Sequence, residues 1–176
     1  MTEVERVLLA SAVRVESVDP AGADAQSCIQ AYFCELAERF EEGFDPARSV
    51  SAAPEELVPP AGWLLVARLD GTAVGCGALK IHDGYAEIKR MWVAPAARGR
   101  GIAQRLLESL EAQAAAAGAG VVCLDTHRSL VEARALYLRN GYVEIAPYND
   151  NPYAYHWFEK RIRRSLPARA QAAAGG

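Results

Sequence analysis

The stretch VAPAARGRGIA, residues 93–103, separates a strand-like run from an amphipathic helical pattern. Gly99 and Gly101 carry no Cβ, so backbone N–H groups there can approach a ligand closely. The helix that begins behind them supplies unpaired amides and the positive end of its dipole. Arg98 and Arg100 add positive charge. The stretch therefore predicts a binding site for an anion, most naturally a phosphate or a pyrophosphate.

Other phosphate-binding loops share glycines with this stretch but require residues that it lacks. A P-loop needs a lysine followed by serine or threonine after its second glycine, and residues 93–103 contain no lysine. A dinucleotide-binding loop needs glycine or alanine at the position of Gln104, and it follows a parallel strand–helix–strand unit. The sequence excludes both loops, whereas a glycine-rich turn with solvated arginines stays open for the stretch taken alone.

Strand-like runs separated by tight turns precede the stretch. Asp70-Gly71 and Asp83-Gly84 stand between these runs, and Asp-Gly is a strong hairpin signal because glycine accepts a positive φ. Pro95 ends the last run because proline cannot donate to a strand ladder. The pattern predicts an antiparallel meander. Its strands are residues 63–69, 73–82 and 85–93.

After the stretch the apolar period changes to that of a helix. Apolar residues recur every four positions from Ile102 to Ala114, and Gly118 ends the predicted helix. The short apolar run that follows suits a strand buried on both faces. The later elements are predicted at residues 121–124 (strand), 130–140 (helix), 142–146 (strand) and 154–162 (strand).

The N-terminal third predicts a strand over residues 12–16 and a long helix. Asp19 and Pro20 begin this helix, which runs to about Phe40. The irregular segment 41–60 is, with the helix, a candidate substrate lid.

The order of elements predicts an α/β fold, an α+β sandwich. We expect a mixed, mainly antiparallel sheet of about six to seven strands with helices on both faces. Residues 1–164 are expected to form a single domain, and residues 165–176 a disordered tail.

Composition is that of an ordinary globular chain. Of the 176 residues, 51% are apolar and 23% are charged, and the net charge is −3, which argues against nucleic-acid and membrane partners. The four cysteines lie far apart and without histidines at ligand spacing, so neither a disulfide nor a metal is expected. The acidic start of the chain does not resemble a signal peptide, and we expect a cytoplasmic protein.

Two motifs together resemble a known family. The stretch closely resembles the acyl-CoA-binding motif of the GNAT superfamily of N-acetyltransferases, and it matches as Val93-x-Pro95-x-x-Arg98-Gly99-x-Gly101-Ile102-Ala103. The family's second motif is similar to Ala133-x-x-Leu136-Tyr137-x-x-x-Gly141-Tyr142. The resemblance covers residues 63–142 and implies a GNAT-like fold that uses acetyl-CoA as cosubstrate.

For the cosubstrate, the resemblance implies a slot between the neighbouring parallel strands 85–93 and 121–125, which a bulge separates. The backbones of Met91 and Val93 would bond the pantetheine arm, and the N–H of Met91 or Trp92 would stabilise the oxyanion. The pyrophosphate would lie on Arg98, Gly99, Arg100, Gly101, Ile102 and Ala103.

The resemblance also implies chemical roles. Tyr137 matches the family tyrosine that protonates or contacts the leaving sulfur. Glu87 lies where relatives place a base that acts directly or through water. Many relatives carry an asparagine that contacts the pantetheine, and Leu130 occupies its place here. That contact is either dropped or supplied by a neighbour such as Arg128 or Ser129.

The acceptor is expected at the C-terminal end of the buried strand, where ligands bind in α/β sheets. Asp125, Thr126 and His127 lie there, and Tyr153 lies in the last turn, so these four residues are the candidate acceptor-binding residues. The predicted reaction moves an acetyl group from acetyl-CoA to the primary amine of a small molecule in a ternary complex. A protein lysine or N-terminal acetyltransferase, and a non-catalytic acyl-CoA-binding module, stay open, as does a homodimer.

Overall fold

The computed structural model describes residues 1–49 and 52–165. Within them the helices are α1 (Glu3–Ala12), α2 (Ala23–Arg39), α3 (Ile102–Ala116) and α4 (Val131–Arg139). The strands are β1 (Arg14–Val18), β2 (Gly62–Leu69), β3 (Thr72–Ile81), β4 (Ala86–Val93), β5 (Val121–Thr126), β6 (Val143–Ile145) and β7 (His156–Arg161). Every helix in this part of the chain falls short of the length or apolar character that a membrane crossing requires. Residues 166–176 of the predicted tail lie outside the described residues, and the assignment of 1–164 to one domain stays a prediction.

One mixed sheet joins the strands of the described ranges. Its order is β1-β2-β3-β4-β5-β7-β6, and within those ranges only the β4–β5 pair is parallel. Successive side chains of a strand point to opposite faces. Accordingly, Leu64 packs in the cluster that contains α2 residues, whereas Leu65 packs in the cluster that contains α3 residues. Helices thus cover both faces, and the predicted mixed, mainly antiparallel sheet is confirmed.

The predicted order of elements holds, with one helix added and some boundaries moved. The sequence pattern does not predict α1, and the first strand begins at Arg14 rather than at residue 12. The second helix begins at Ala23 rather than at Pro20. The reason is a turn before the helix, in which the Asp19 carboxylate accepts a hydrogen bond from the Ala21 N–H at 2.9 Å.

A bulge interrupts the pairing of β3 with β4. The register shifts between Cys76 and Ala78, so Arg90 and Met91 both stand opposite Gly77. Arg90 has a φ of 55°, which is uncommon for a residue with a Cβ. A Cβ on Gly77 would lie 2.7 Å from the Leu110 side chain on α3 and 3.0 Å from the Met91 sulfur, so glycine permits both side chains to pack closely against β3 here.

The strands β4 and β5 pair over a short length and then separate. Their parallel register contains Ala86 with Val122 and Glu87 with Cys123, and no later pair joins them within the described residues. Because the bulge bends β4, an open wedge forms between the C-terminal halves of the two strands. Backbone groups of β4 that face this wedge have no strand partner there.

Candidate active site

The wedge opens into a cleft of about 900 Å³, called here the large cleft. Helices α2, α3 and α4 contribute to its walls, and residues from the start of α1 reach its rim. Arg100 alone among the predicted cosubstrate residues is absent from the lining that the described residues provide. Those that do line it are Met91, Trp92, Val93, Arg98, Gly99, Gly101, Ile102, Ala103 and Tyr137.

The start of α3 presents unbonded backbone amides beside this cleft. Gly99 and Gly101 have φ values of 76° and 79°, in the left-handed region that glycine adopts without strain. The Arg105 N–H is the first to bond back into the helix, at 3.1 Å from the Gly101 oxygen. The N–H groups of residues 99–104 donate to no described residue. Such a helix start is suited to bind an anion.

Arg98 is held in place by two elements. Its Nε donates to the Val93 carbonyl at 2.9 Å, and its Nη2 lies 2.6 and 2.8 Å from the two carboxylate oxygens of Glu35 on α2. The guanidinium is thereby fixed across the edge of the large cleft, and part of its charge is neutralised. Its contact with a pyrophosphate stays a prediction.

Tyr137 lies on α4 with a buried ring that packs edge-on to Tyr142, the ring centroids being 5.6 Å apart. Its hydroxyl makes no hydrogen bond to a described residue, although the side chain lines the large cleft. Burial raises the pKa of the Tyr137 phenol, and the Asp125 carboxylate raises this pKa further. The phenol therefore keeps its proton at neutral pH and is free to donate it to a ligand.

A second cavity of about 300 Å³, called here the small cavity, adjoins the large cleft. The two share Tyr32 and Leu130 as wall residues. Aromatic rings supply much of the small cavity's lining: Phe33, Phe40, Phe44 and Tyr153. All four predicted acceptor residues also line it: Asp125, Thr126, His127 and Tyr153. The structure thus brings them together, and their role in binding an acceptor stays a prediction.

Two polar groups of the small cavity differ in how they are satisfied. Each carboxylate oxygen of Asp125 accepts one amide hydrogen bond at 2.8 Å, from Asn149 and from Asn151. Each oxygen still has a free lone pair. The Thr126 hydroxyl is buried and bonds to no described residue. Both groups can therefore take a polar ligand.

His127 is held firmly in the wall of the small cavity. Its ring stacks on Phe40 with centroids 3.6 Å apart. The Ser129 N–H donates to Nδ1 at 3.1 Å, so the ring proton is assigned to Nε2, which donates to the Glu42 carboxylate at 2.9 Å. With both nitrogens engaged, the ring shapes the cavity and has no free lone pair for a substrate.

Glu87 is buried at 2% exposure and lines neither cavity. The Tyr148 hydroxyl donates to its carboxylate at 2.9 Å, and the His82 Nε2 lies 3.0 Å from it. Asn149 lies 3.5 Å from the Glu87 carboxylate and bonds to Asp125, so the two acids are linked by one amide. The role of Glu87 as a base stays a prediction, and Glu87 could act on a substrate only through this polar network.

Leu130 lines both cavities, so the position of the family asparagine presents an apolar contact. Neither Arg128 nor Ser129 lines the large cleft. Arg128 stacks on the Tyr155 ring at 4.7 Å, and Ser129 contacts His127. Whether a neighbour supplies the pantetheine contact stays a prediction.

Two wall residues were not selected from the sequence. Tyr32, on α2, stands between the two cavities. Arg90 lines the small cavity. The one sequence signal for Arg90 was its positive charge within a strand that ends at a buried valine, Val93.

In the described residues, no group of three or more His, Cys, Asp or Glu is arranged to hold a metal ion.

Comparison with known proteins gives a family match. The model of the acetyltransferase (GNAT) family matches residues 28–142. An IAA acetyltransferase of Azospirillum brasilense is 44% identical over 101 residues, which are 56% of this chain and 65% of that protein. The chain spans less than two thirds of the length of the curated relatives it matches, 65% and 60%.

Solved structures share the fold. A protein of Klebsiella pneumoniae, named as a candidate acyl-CoA N-acyltransferase, is 29% identical with a TM-score of 0.68, over 85% of this chain and 97% of that one. A GNAT family acetyltransferase of Elizabethkingia anophelis with acetyl-CoA bound is 16% identical with a TM-score of 0.60, over 86% of this chain and 99% of that one.

Proposed function

Because this chain belongs to the acetyltransferase (GNAT) family, we propose that it moves an acetyl group from acetyl-CoA to the primary amine of a small molecule. One observation carries the proposal. The large cleft, with its unbonded amides, meets the small cavity at Tyr32 and Leu130, beside the wedge between β4 and β5. An acyl donor in the large cleft and an amine in the small cavity would meet there, which supports direct attack in a ternary complex.

The N–H groups of residues 99–104 would hold the diphosphate of acetyl-CoA. Arg98 would contribute the part of its positive charge that Glu35 does not neutralise. The wedge-facing backbone of Met91 and Val93 would bond the pantetheine arm, because β5 leaves these groups unpaired. The N–H of Met91 or Trp92 would stabilise the charge that develops on the carbonyl oxygen. The thioester supplies an activated acetyl group.

Tyr137 would donate its phenolic proton, or a hydrogen bond, to the leaving sulfur. A thiol has an ordinary pKa of about 8.5 and a phenol of about 10, so complete transfer is uphill by about 2 kcal/mol before burial is counted. Since burial raises the pKa of Tyr137 further, its contribution is chiefly a hydrogen bond that strengthens as charge builds on sulfur. We propose Glu87 as the base, which would take the proton of the amine through water. The Asn149 amide, which donates to both Glu87 and Asp125, would hold the two acids in place.

The size of the small cavity supports a small acceptor rather than a peptide. Its volume is about 300 Å³, and the segment after α2 forms part of its wall through Phe44, Pro46, Ala47 and Ser49. The relative from Azospirillum brasilense is named for IAA, which also supports a small-molecule acceptor.

Thiol release from acetyl-CoA, followed against panels of small amines, amino acids and peptides, tests this function. We expect release with small amines, and initial-rate plots that intersect, as a ternary complex requires. Parallel plots would indicate a covalent acetyl-enzyme and contradict direct attack. Release with peptides alone would contradict a small acceptor. Tight CoA binding with no turnover on any amine would contradict an enzymatic role.

A further inference from the structure

The charged side chains that line the small cavity are not equally paired. Lys89 lies 3.7 Å from the Glu87 carboxylate, and Asp125 is bonded to two asparagines. The Arg90 guanidinium forms no hydrogen bond and no ion pair with any residue that the structure describes. Its contact is with the Phe33 ring, whose centroid lies 5.2 Å from the guanidinium carbon. Arg90 is thus an unpaired cation in the wall of this cavity.

The backbone places Arg90 there at a conformational cost. It occupies the bulge of β4 with a φ of 55°, and the Cys76 thiol donates to its carbonyl at 3.4 Å. Non-glycine residues in this region are strained, and such strain collects at ligand-binding positions. Burial lowers the pKa of the guanidinium, the unfavourable effect expected for a cation removed from water without a partner.

Resting on the proposed function, we propose that the acceptor is an amine that also carries a carboxylate, and that Arg90 binds this carboxylate. A guanidinium presents paired N–H donors that match the two oxygens of a carboxylate. Arg90 lines the small cavity and is absent from the described lining of the large cleft, so its partner is the acceptor rather than the acyl donor.

The rest of the cavity indicates what else this molecule contains. The free lone pairs of Asp125 and the unpaired Thr126 hydroxyl suit the amine end. The rings of Phe33, Phe40 and Phe44 suit an apolar body, and about 300 Å³ admits a molecule of amino-acid size. The substrate class is therefore an amino acid with an apolar or aromatic side chain.

A matched substrate series tests the assignment. L-Phenylalanine, L-phenylalaninamide and 2-phenylethylamine share the amine and the ring, but only the first carries a carboxylate. We expect the wild type to have the lowest Michaelis constant for L-phenylalanine. Arg90→Gln should raise that constant by about 10- to 100-fold, the loss expected for a charge-assisted pair, and leave the constants for the two amines that lack a carboxylate nearly unchanged. Arg90→Lys should restore part of the preference.

Arg134→Gln is the matched control, because Arg134 pairs with Glu144 at 3.6 Å outside both cavities and should affect no substrate. Equal use of all three amines by the wild type, or an Arg90→Gln loss that is the same for each, would overturn the inference and leave the proposed function standing. If no amine is turned over, titration calorimetry with L-phenylalanine in the presence of CoA shows whether Arg90 still forms a carboxylate-binding site. Binding that depends on Arg90 would keep the anion site and remove the enzymatic role, and no binding would remove both.

Discussion

Replacing Tyr137 by phenylalanine separates catalysis from stability in this fold. The Tyr137 hydroxyl bonds to no described residue, so its removal leaves no buried donor or acceptor unpaired. The ring contacts with Tyr142 and Phe158 stay, because phenylalanine keeps the ring. We therefore expect Tyr137→Phe to change the free energy of unfolding by no more than about 0.5 kcal/mol.

The turnover number, in contrast, should fall strongly although the stability hardly changes. A positioned proton or hydrogen-bond donor to the leaving atom contributes about 10²-fold, which corresponds to about 2.7 kcal/mol of activation free energy. The Michaelis constant for acetyl-CoA should change little, because the hydroxyl is expected to act on sulfur only as charge develops. Initial rates of thiol release at saturating substrates, together with urea unfolding, measure both quantities.

Tyr142→Phe provides the opposite pattern and serves as the control. Its hydroxyl donates to the Glu111 carboxylate at 3.0 Å, so its loss should lower the free energy of unfolding by about 1–2 kcal/mol. Turnover should be retained, since Tyr142 lines neither cavity. A Tyr137→Phe enzyme that keeps wild-type turnover would refute the assignment of the phenol to the leaving sulfur.

Three further changes test other parts of the structure. Arg98→Ala should raise the Michaelis constant for acetyl-CoA by about 10-fold or more, and an unaltered constant would argue against a pyrophosphate contact. Gly75→Ala places a Cβ 2.8 Å from the Trp92 carbonyl oxygen, so urea unfolding should show a loss of about 1–3 kcal/mol; unchanged stability would mean that β4 can shift freely. Burial raises the pKa of Tyr137 and Tyr142 above 10.0, the ordinary value that applies in the unfolded chain. The folded state is therefore fully stable below pH 10, and its free energy of unfolding declines above that pH, where only the unfolded chain loses these protons. The slope should be about 1.4 kcal/mol per pH unit for each tyrosine, and urea midpoints that stay constant from pH 9 to 11 would contradict it.

Local signals in the sequence predicted the parts of the fold that depend on local conformation. Gly71 and Gly84 have φ values of 80° and 86°, as the predicted hairpin turns require. Gly101 precedes α3 in the left-handed conformation, and Gly141 follows α4 with a φ of 83°. Each of these glycines satisfies a conformational demand that its immediate neighbours create, so the local sequence is sufficient to predict these turns and helix ends.

Contacts between distant segments were not predictable in the same way. Glu35 and Arg98 are 63 positions apart and meet because α2 packs across the sheet toward the start of α3. Sequence reasoning predicted a free charge at Arg98, whereas the structure gives that charge a carboxylate partner. The hydrogen bonds of Glu87 likewise join residues up to 62 positions apart, so its burial could not be inferred from the alternation of β4 alone.

Arg90 is absent from the predicted site residues, and the reason is the same bulge that the resemblance implied. A bulge adds one residue to a strand, so every side chain beyond it changes its expected face. Alternation along β4 therefore predicts the wrong surroundings for a residue at the bulge itself. The separation of β4 from β5 and the turning of Arg90 into the small cavity thus have one cause. A single backbone irregularity opens the proposed site for the acyl donor and places the cation proposed to select the acceptor.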